Sequence, residues 1–341
     1  MKNVFYFKVI SSIGGVETFF YNLSQLYKDF TVVYKKGDPE QIKRLAQNVE
    51  VVKFEGQKIK CDRFFCNYAF DILGYVEAKE YYHIIHCDYS KVRFPPILNE
   101  GFKYIGVSKL ACKSFKERVG IDAELIYNPV IVKKHKVEKY NDGKIHILCA
   151  TRLSKEKGGE NILKLAQMSD DFIIDVYSNR KLPYKLPNVI QHEPKLDLSE
   201  EMARSHYVAQ LSKFEAFGLT PAEALTIGTP VIVTDIPAFR EIGCIHGKNA
   251  VICDINMKNV DIDLIKKGLA PFKYEPPKEG WSKYLTTKSN YNPKEKIKVR
   301  TRKNYLDVEL QEHFKRNTII EDKITKERAS YLEAKDIIER I

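Results

Sequence analysis

The segment Phe214-Glu215-Ala216-Phe217-Gly218-Leu219-Thr220-Pro221-Ala222-Glu223-Ala224 carries two carboxylates with seven residues between them. Its flanks predict a strand over Tyr207–Ser212 and a helix over Pro221–Ile227, so Glu215 falls in a loop just past a strand end. Gly218 lets the backbone approach a ligand closely. Pro221 suits the first helical position, where its missing N–H costs nothing. The N–H groups of Leu219 and Thr220 then form an anion site at a helix N-terminus. Glu223, in the first turn, would repel that anion unless it accepts hydrogen bonds, for instance from ribose hydroxyls. A surface helix with a favourable acidic first turn has the same spacing, and spacing alone leaves both readings open.

A second group lies at Arg152-Leu153-Ser154-Lys155-Glu156-Lys157-Gly158. Arg152 offers a planar fork and Lys157 a point charge, a pair able to stabilise a departing diphosphate. Surface charge at a strand–helix junction is the plainer reading. His86 ends the apolar run Tyr81-Tyr82-His83-Ile84-Ile85-His86, at the carboxyl end of a buried strand. His83, three residues earlier, points to the opposite face and reads as structural. His86-Cys87-Asp88 are metal-ligand types, but neighbours on a strand face opposite ways, so no joint metal site is expected.

Strand and helix patterns alternate around these residues. Val4–Ile10 reads as a strand and Gly14–Tyr27 as a helix. Thr31–Tyr34 and Val49–Phe54 read as strands around the helix Glu40–Gln47. Tyr82–His86 and Tyr104–Val107 are buried strands, Lys109–Val119 is a helix, and Glu124–Tyr127 closes this half. The polar stretch Lys133–Gly143 reads as a linker. The alternation then restarts with strands at Ile145–Ala150, Phe172–Tyr177, Tyr207–Ser212, Pro230–Thr234 and Ala250–Asp254. Helices fall at Gly159–Met168, Leu198–Ser205 and Pro221–Ile227. Such βα repeats imply an α/β fold with two doubly wound parallel sheets facing a cleft, and ligands beyond the carboxyl ends of the strands.

The tail differs. From Lys294 to Arg302 basic residues alternate with Glu295, Ile297, Val299 and Thr301, which predicts a strand with one basic face. Residues 288–303 hold seven Lys/Arg and one acid, a net +6 in a chain of net +11. Thr318–Glu321 reads as a second strand, Thr325 as the N-cap of a helix over Lys326–Leu332, and Asp336–Arg340 as a last strand. The expected domains are therefore 1–135, 142–285 and a separable basic module over 294–341 that follows a polar stretch, Ser289–Lys294.

With 341 residues, 44 % hydrophobic and 30 % charged, the chain is neither fibrous nor disordered. No apolar run is long enough to span a bilayer. Seven cysteines without a CxxC pair argue against a disulfide framework or a zinc site and for a cytoplasmic location, with peripheral membrane association left open. Lys109, Lys113 and Lys116 share one helical face that could meet an anionic membrane or polyanion, though such a row is more often a solvated exterior.

Glu215, Glu223 and the Phe217-Gly218 between them closely resemble the signature of retaining glycosyltransferases of family 4, which have the GT-B fold. Ser212 stands as in that family's Ser-x-x-Glu. Gly228-Thr229-Pro230-Val231-Ile232 is similar to its strand entry, Arg152 to Gly158 to the opening of its second domain, Gly14-Gly15-Val16-Glu17 to its G-G-x-E, and Tyr127-Asn128-Pro129-Val130 to the end of its first domain. The resemblance covers about residues 1–255. It implies transfer of a hexose from a nucleotide-diphosphate sugar with retention, without a metal and without a cofactor beyond the donor itself. It assigns His86, Glu215, Arg152 and Lys157 to catalysis. Gly14, Gly15, Arg152, Lys157, Glu215, Phe217, Gly218, Leu219, Thr220 and Glu223 are assigned to the donor, with Glu215 on sugar hydroxyls and Glu223 on ribose. The acceptor stays open among polysaccharide, lipid, virion protein, another anionic polymer and DNA, as does the oligomeric state. The family's glycine near Gln191-His192-Glu193 is absent, which leaves the donor base open. The tail loosely resembles a β-rich module of bacteriophage structural proteins, which would make the chain phage-encoded. A sugar-nucleotide epimerase of the same fold and a non-catalytic nucleotide-sugar-binding relative are the alternatives. A dehydrogenase is disfavoured because Gly14-Gly15-Val16-Glu17 lacks the spaced G-x-G-x-x-G.

Overall fold

The computed structural model describes residues 2–68, 70–288 and 291–341. Ser289 and Asn290 of the expected polar stretch lie outside the described residues. The chain divides into two compact units. The first holds the described residues up to Ile85, Ile97–Ile105 and Gly280–Ile341, and the second holds His86–Pro96 and Gly106–Glu279.

The first unit opens with β1 (Asn3–Ile10), α1 (Gly15–Leu26), β2 (Phe30–Gly37), α2 (Pro39–Ala46), β3 (Glu50–Lys53), β4 (Ile59–Cys66), β5 (Val76–Ile85) and β6 (Phe102–Gly106). These strands lie in the order β3-β2-β1-β4-β5-β6. The pairs β1–β2, β1–β4, β2–β3 and β4–β5 are parallel. β4 has no counterpart in the sequence reading, because Ile59–Cys66 mixes Lys60, Asp62 and Arg63 into its apolar positions. Helix α2 begins where Asp38 accepts the N–H groups of Glu40 and Gln41, with Pro39 in its first turn.

The second unit continues with α3 (Lys109–Val119) and β7 (Glu124–Leu125). It then runs through β8 (Ile145–Ala150), α4 (Gly159–Ala166), β9 (Phe172–Tyr177), β10 (Val189–His192), α5 (Ser199–Arg204) and β11 (Tyr207–Gln210). It closes with α6 (Leu219–Ile227), β12 (Val231–Thr234), α7 (Pro237–Glu241), β13 (Ala250–Cys253) and α8 (Ile262–Lys267). Strands β8 to β13 form a six-stranded parallel sheet in the order β10-β9-β8-β11-β12-β13. This order reverses direction between β8 and β11. In doubly wound sheets that switch point opens the crevice that takes ligands. Its central strands β8, β11 and β12 are buried on both faces, as sandwiched parallel strands must be.

The tail and the domain boundaries differ from the sequence expectation. After Gly280 the chain belongs to the first unit, not to a domain ending at 285. Trp281 is fully buried there, with ring centroids 5.4 Å from Phe19 and 6.2 Å from Phe65. Residues 106–135 group with the second unit rather than the first. The tail elements are β14 (Lys296–Thr301), β15 (Tyr305–Asp307), β16 (Glu312–Phe314), β17 (Ile319–Thr325), α9 (Lys326–Ala334) and β18 (Ile338–Arg340). Thr325 caps α9 as its position predicts, its hydroxyl accepting the Arg328 N–H. The β15–β16 hairpin is additional.

The tail groups with the first unit. The Ser330 hydroxyl and the Arg340 guanidinium both donate to the Val51 carbonyl of β3, and the Tyr291 hydroxyl donates to Ala46 O at 2.6 Å. Three of the cations on its basic face are also paired with carboxylates. Lys298 pairs with Glu321, Arg300 with Glu339, and Arg302 with Glu55, Asp336 and Glu339. Carboxylates distant in sequence fold back onto the alternating cations. On α3, Lys113 and Lys116 meet the nearby Glu117 and Asp122 on a solvated face.

Candidate active site

The loops after β8 and β11, the two strands at the switch point, carry the second unit's main polar cluster. Lys157 Nζ lies 2.7 Å from Glu215 Oε1, and the two side chains are only 19 % and 15 % exposed. The fully buried Ser212 hydroxyl donates to the same carboxylate oxygen at 2.8 Å. Gln210 Nε2 donates to Ser212 Oγ at 2.7 Å and reaches Glu215 Oε1 at 3.4 Å. Glu215 is thus held by a cation, a hydroxyl and an amide. Gln210, the last residue of β11, has no distinguishing signal in the sequence.

The β8–α4 loop is shaped to deliver Lys157. The Lys157 N–H closes a turn onto Ser154 O, and the Lys213 N–H ties the two loops together at Glu156 O, 2.8 Å. Gly158 has φ +73°, and a Cβ there would lie 2.0 Å from the Leu211 carbonyl oxygen. Only glycine lets this loop pack onto the end of β11. Arg152 is exposed on the same loop. The Glu156 carboxyl is held below the usual range, first by the Ser154 hydroxyl and further by the positive charge of Arg152 and Lys157.

The Glu215–Gly218 loop is braced from α3. The Ser108 hydroxyl donates to Ala216 O at 2.6 Å and also caps α3. Glu241 accepts the N–H groups of Lys109 and Leu110. Burial, with the Glu241 charge beside it, pushes the Tyr127 hydroxyl up to about 12. The Tyr127 ring packs 6.2 Å from that of Phe217.

Several sequence assignments change here. The Phe217 ring is 3 % exposed. Gly218, at φ +94°, is required by protein packing, since a Cβ would lie 2.9 Å from Phe239 Cε1. Helix α6 starts at Leu219, not Pro221, because Gly218 takes the cap position and its carbonyl accepts the Ala222 N–H. Pro221 is therefore the third helical residue, where an N–H is still not needed. Glu223 is the fifth and lies in the second turn, half-buried. Leu219 and Thr220 keep the first two helical positions.

In the first unit, Gly14 and Gly15 lead into α1. Glu17 turns back so closely that a Cβ on Gly14 would lie 2.2 Å from Glu17 Oε2, while Glu17 Oε1 accepts the Ser11 N–H. The glycine at 14 accommodates this buried carboxylate. His86 immediately follows β5, is half-buried, and belongs to the second unit. His83 is buried beside Phe70 and Tyr104, and burial pushes its imidazole down to about 4, so it is neutral. Asp88 accepts the Ser90 N–H and hydroxyl in a local turn. Among the described residues no group of three or more His, Cys, Asp or Glu could hold a metal ion, and no helix is long and apolar enough to cross a membrane.

Residues 131–270, which contain both loops, match the family model described as glycosyl transferases group 1. No curated protein sequence matches the chain. Among solved structures, HepE from Anabaena, determined with UDP and glucose, superimposes with a TM-score of 0.63 at 16 % identity, covering 78 % of this chain and 89 % of that one. A glycosyltransferase from Rickettsia africae gives 0.56 at 14 % identity, covering 78 % and 88 %. WaaG, a glycosyltransferase of lipopolysaccharide biosynthesis, gives 0.53 at 13 % identity, covering 78 % and 89 %. The fold shared with these structures is GT-B, built from two Rossmann-like domains.

Proposed function

We propose that the chain is a retaining hexosyltransferase that moves a sugar from a nucleoside-diphosphate sugar to an acceptor, without a metal. The observation that carries this reading is the Lys157–Glu215 pair at the switch point between β8 and β11. A diphosphate arriving there offers Lys157 a stronger anionic partner than one carboxylate. Lys157 then turns to the phosphate, and Glu215, still held by Ser212, is released to accept hydrogen bonds from the sugar hydroxyls. Arg152 adds a second cation on the same loop, and the N–H groups of Leu219 and Thr220 add backbone donors. Fixed cations in this arrangement stabilise the departing diphosphate where a metal otherwise would. Glu223 is assigned to the ribose and His86 to the reacting sugar. The assignment of Gly14 and Gly15 to the donor rests on the family resemblance.

The UDP and glucose bound to the Anabaena neighbour make UDP-glucose the first donor to test. The test is UDP titration with and without EDTA, followed by proton NMR of the glycoside or free sugar formed. Equal affinity with chelator and an initial product with the donor's anomeric configuration support the reading. Chelator-sensitive binding removes metal independence, and an inverted product removes the retaining assignment.

A further inference from the structure

The first unit contains a cavity of about 920 Å³ that lies at the amino-terminal edge of its sheet. Lys2 and Asn3 at the start of β1, Phe30 and Thr31 at the start of β2, and Glu50 at the start of β3 form one wall. The returning segment from Ser282 to Lys288, with Tyr291 and Lys326, forms the other. The loop joining β1 to α1, which carries Gly14 and Gly15, leaves from the opposite, carboxyl edge of this sheet, so the cavity is distinct from that loop.

Its charge is one-sided. Six cations line it, Lys2, Lys28, Arg63, Lys283, Lys288 and Lys326, against two carboxylates, Asp29 and Glu50. The carboxylates are engaged with neutral groups. Asp29 accepts from the Thr286 N–H and the Asn3 amide, and Glu50 from the Thr31 hydroxyl. Lys28 is half-buried and donates to Ser24 O and Asn48 Oδ1, both uncharged, and burial lowers its pKa. Arg63 and Lys326 pair with Glu80 and Glu295, neither of which lines the cavity. Asn3 is 1 % exposed, and its Oδ1 has no hydrogen-bond partner among the described residues. A small-molecule site is typically ~300–1,000 Å³, and this one has that size.

We propose that this cavity is a second anion site, taking a ligand that carries one or more phosphate groups. The cations hold the phosphates, and Asn3 Oδ1 with the Thr31 and Ser282 hydroxyls can meet hydroxyl groups on the ligand's body. The ligand's phosphates can belong to a soluble phosphorylated compound or to a lipid headgroup, and the two sources share this recognition.

The experiment titrates inorganic tripolyphosphate into the full-length protein with and without UDP, and separately measures sedimentation with phosphatidylcholine vesicles with and without phosphatidic acid. The comparison is Lys2→Gln/Lys283→Gln/Lys288→Gln, three substitutions at exposed positions that leave the core intact. The expected result is salt-sensitive binding of at least one probe, weakened roughly tenfold or more in the triple variant. UDP affinity should not change, so a failure here is separable from a failure of the donor site. Binding of tripolyphosphate alone assigns a soluble ligand, and capture of phosphatidic acid vesicles assigns a headgroup. Absence of binding by both probes, or undiminished binding in a triple variant with the wild-type melting temperature, overturns the proposal.

Discussion

Glu215→Gln should bind UDP more tightly than the wild-type protein. Lys157 is committed to Glu215 at 2.7 Å, with both side chains more than four-fifths buried. A diphosphate can use Lys157 only after breaking that pair. A hydrogen bond to a charged group is worth about 1.5–3 kcal/mol net. Residual solvent access to both partners trims this to about 1–2 kcal/mol here, or roughly five- to thirtyfold in affinity. Glutamine keeps the size and the link to Ser212 but removes the charge that holds Lys157. UDP titration calorimetry at neutral pH reads the gain, while sugar transfer should be abolished. Lys157→Ala should weaken UDP binding, and in that background the glutamine substitution should bring little gain, because the two effects share one contact. Unchanged or weaker UDP binding by Glu215→Gln, or a full gain without Lys157, refutes the reasoning.

Other outcomes follow from the same geometry. Gly158→Ala puts a Cβ about where the Leu211 carbonyl oxygen lies, at a left-handed φ; UDP binding should be lost and the second unit destabilised by about 2 kcal/mol or more in urea titration. His86→Ala should leave UDP affinity unchanged and reduce transfer by roughly a hundredfold or more, which steady-state kinetics measures. His83 has a folded pKa of about 4, below the ordinary ~6.5 of an unfolded histidine. The unfolded chain therefore binds the proton first, and the first unit should lose stability as pH falls from about 6.5 to about 4. Trp281, the only tryptophan, sits in that unit's core and reports the transition by fluorescence; His83→Phe should flatten the pH dependence over that window. Truncation after Asn292 removes Ser330 and Arg340 from β3, so the Trp281 transition should fall by several degrees, whereas a separable tail would leave it unchanged.

The sequence exposes strands and helices where one face or both are apolar over several residues. Lys109–Val119, Ile145–Ala150 and Phe172–Tyr177 match to the residue. It hides β4 and β10, whose exposed edges are as polar as loops. The helix start at Leu219 is hidden because a glycine with positive φ can act as a cap without any side-chain signal. Lys157 and Glu215 are legible as separate motif residues, yet 58 positions apart nothing in the sequence pairs them. Gln210 and Ser108 act through contacts made by the fold. The basic tail misleads for a related reason: alternation reveals the strand, but Glu55, Glu321, Asp336 and Glu339 reach it only in three dimensions.

Donor consumption in the absence of acceptor tests the central claim most directly. Full-length protein and Glu215→Gln are each incubated with a panel of nucleotide sugars led by UDP-glucose, and the nucleoside diphosphate released is quantified by chromatography. The account predicts slow release from at least one donor by the wild-type protein and none by the variant. No release from any donor in the panel, or equal release by the two proteins, would contradict it.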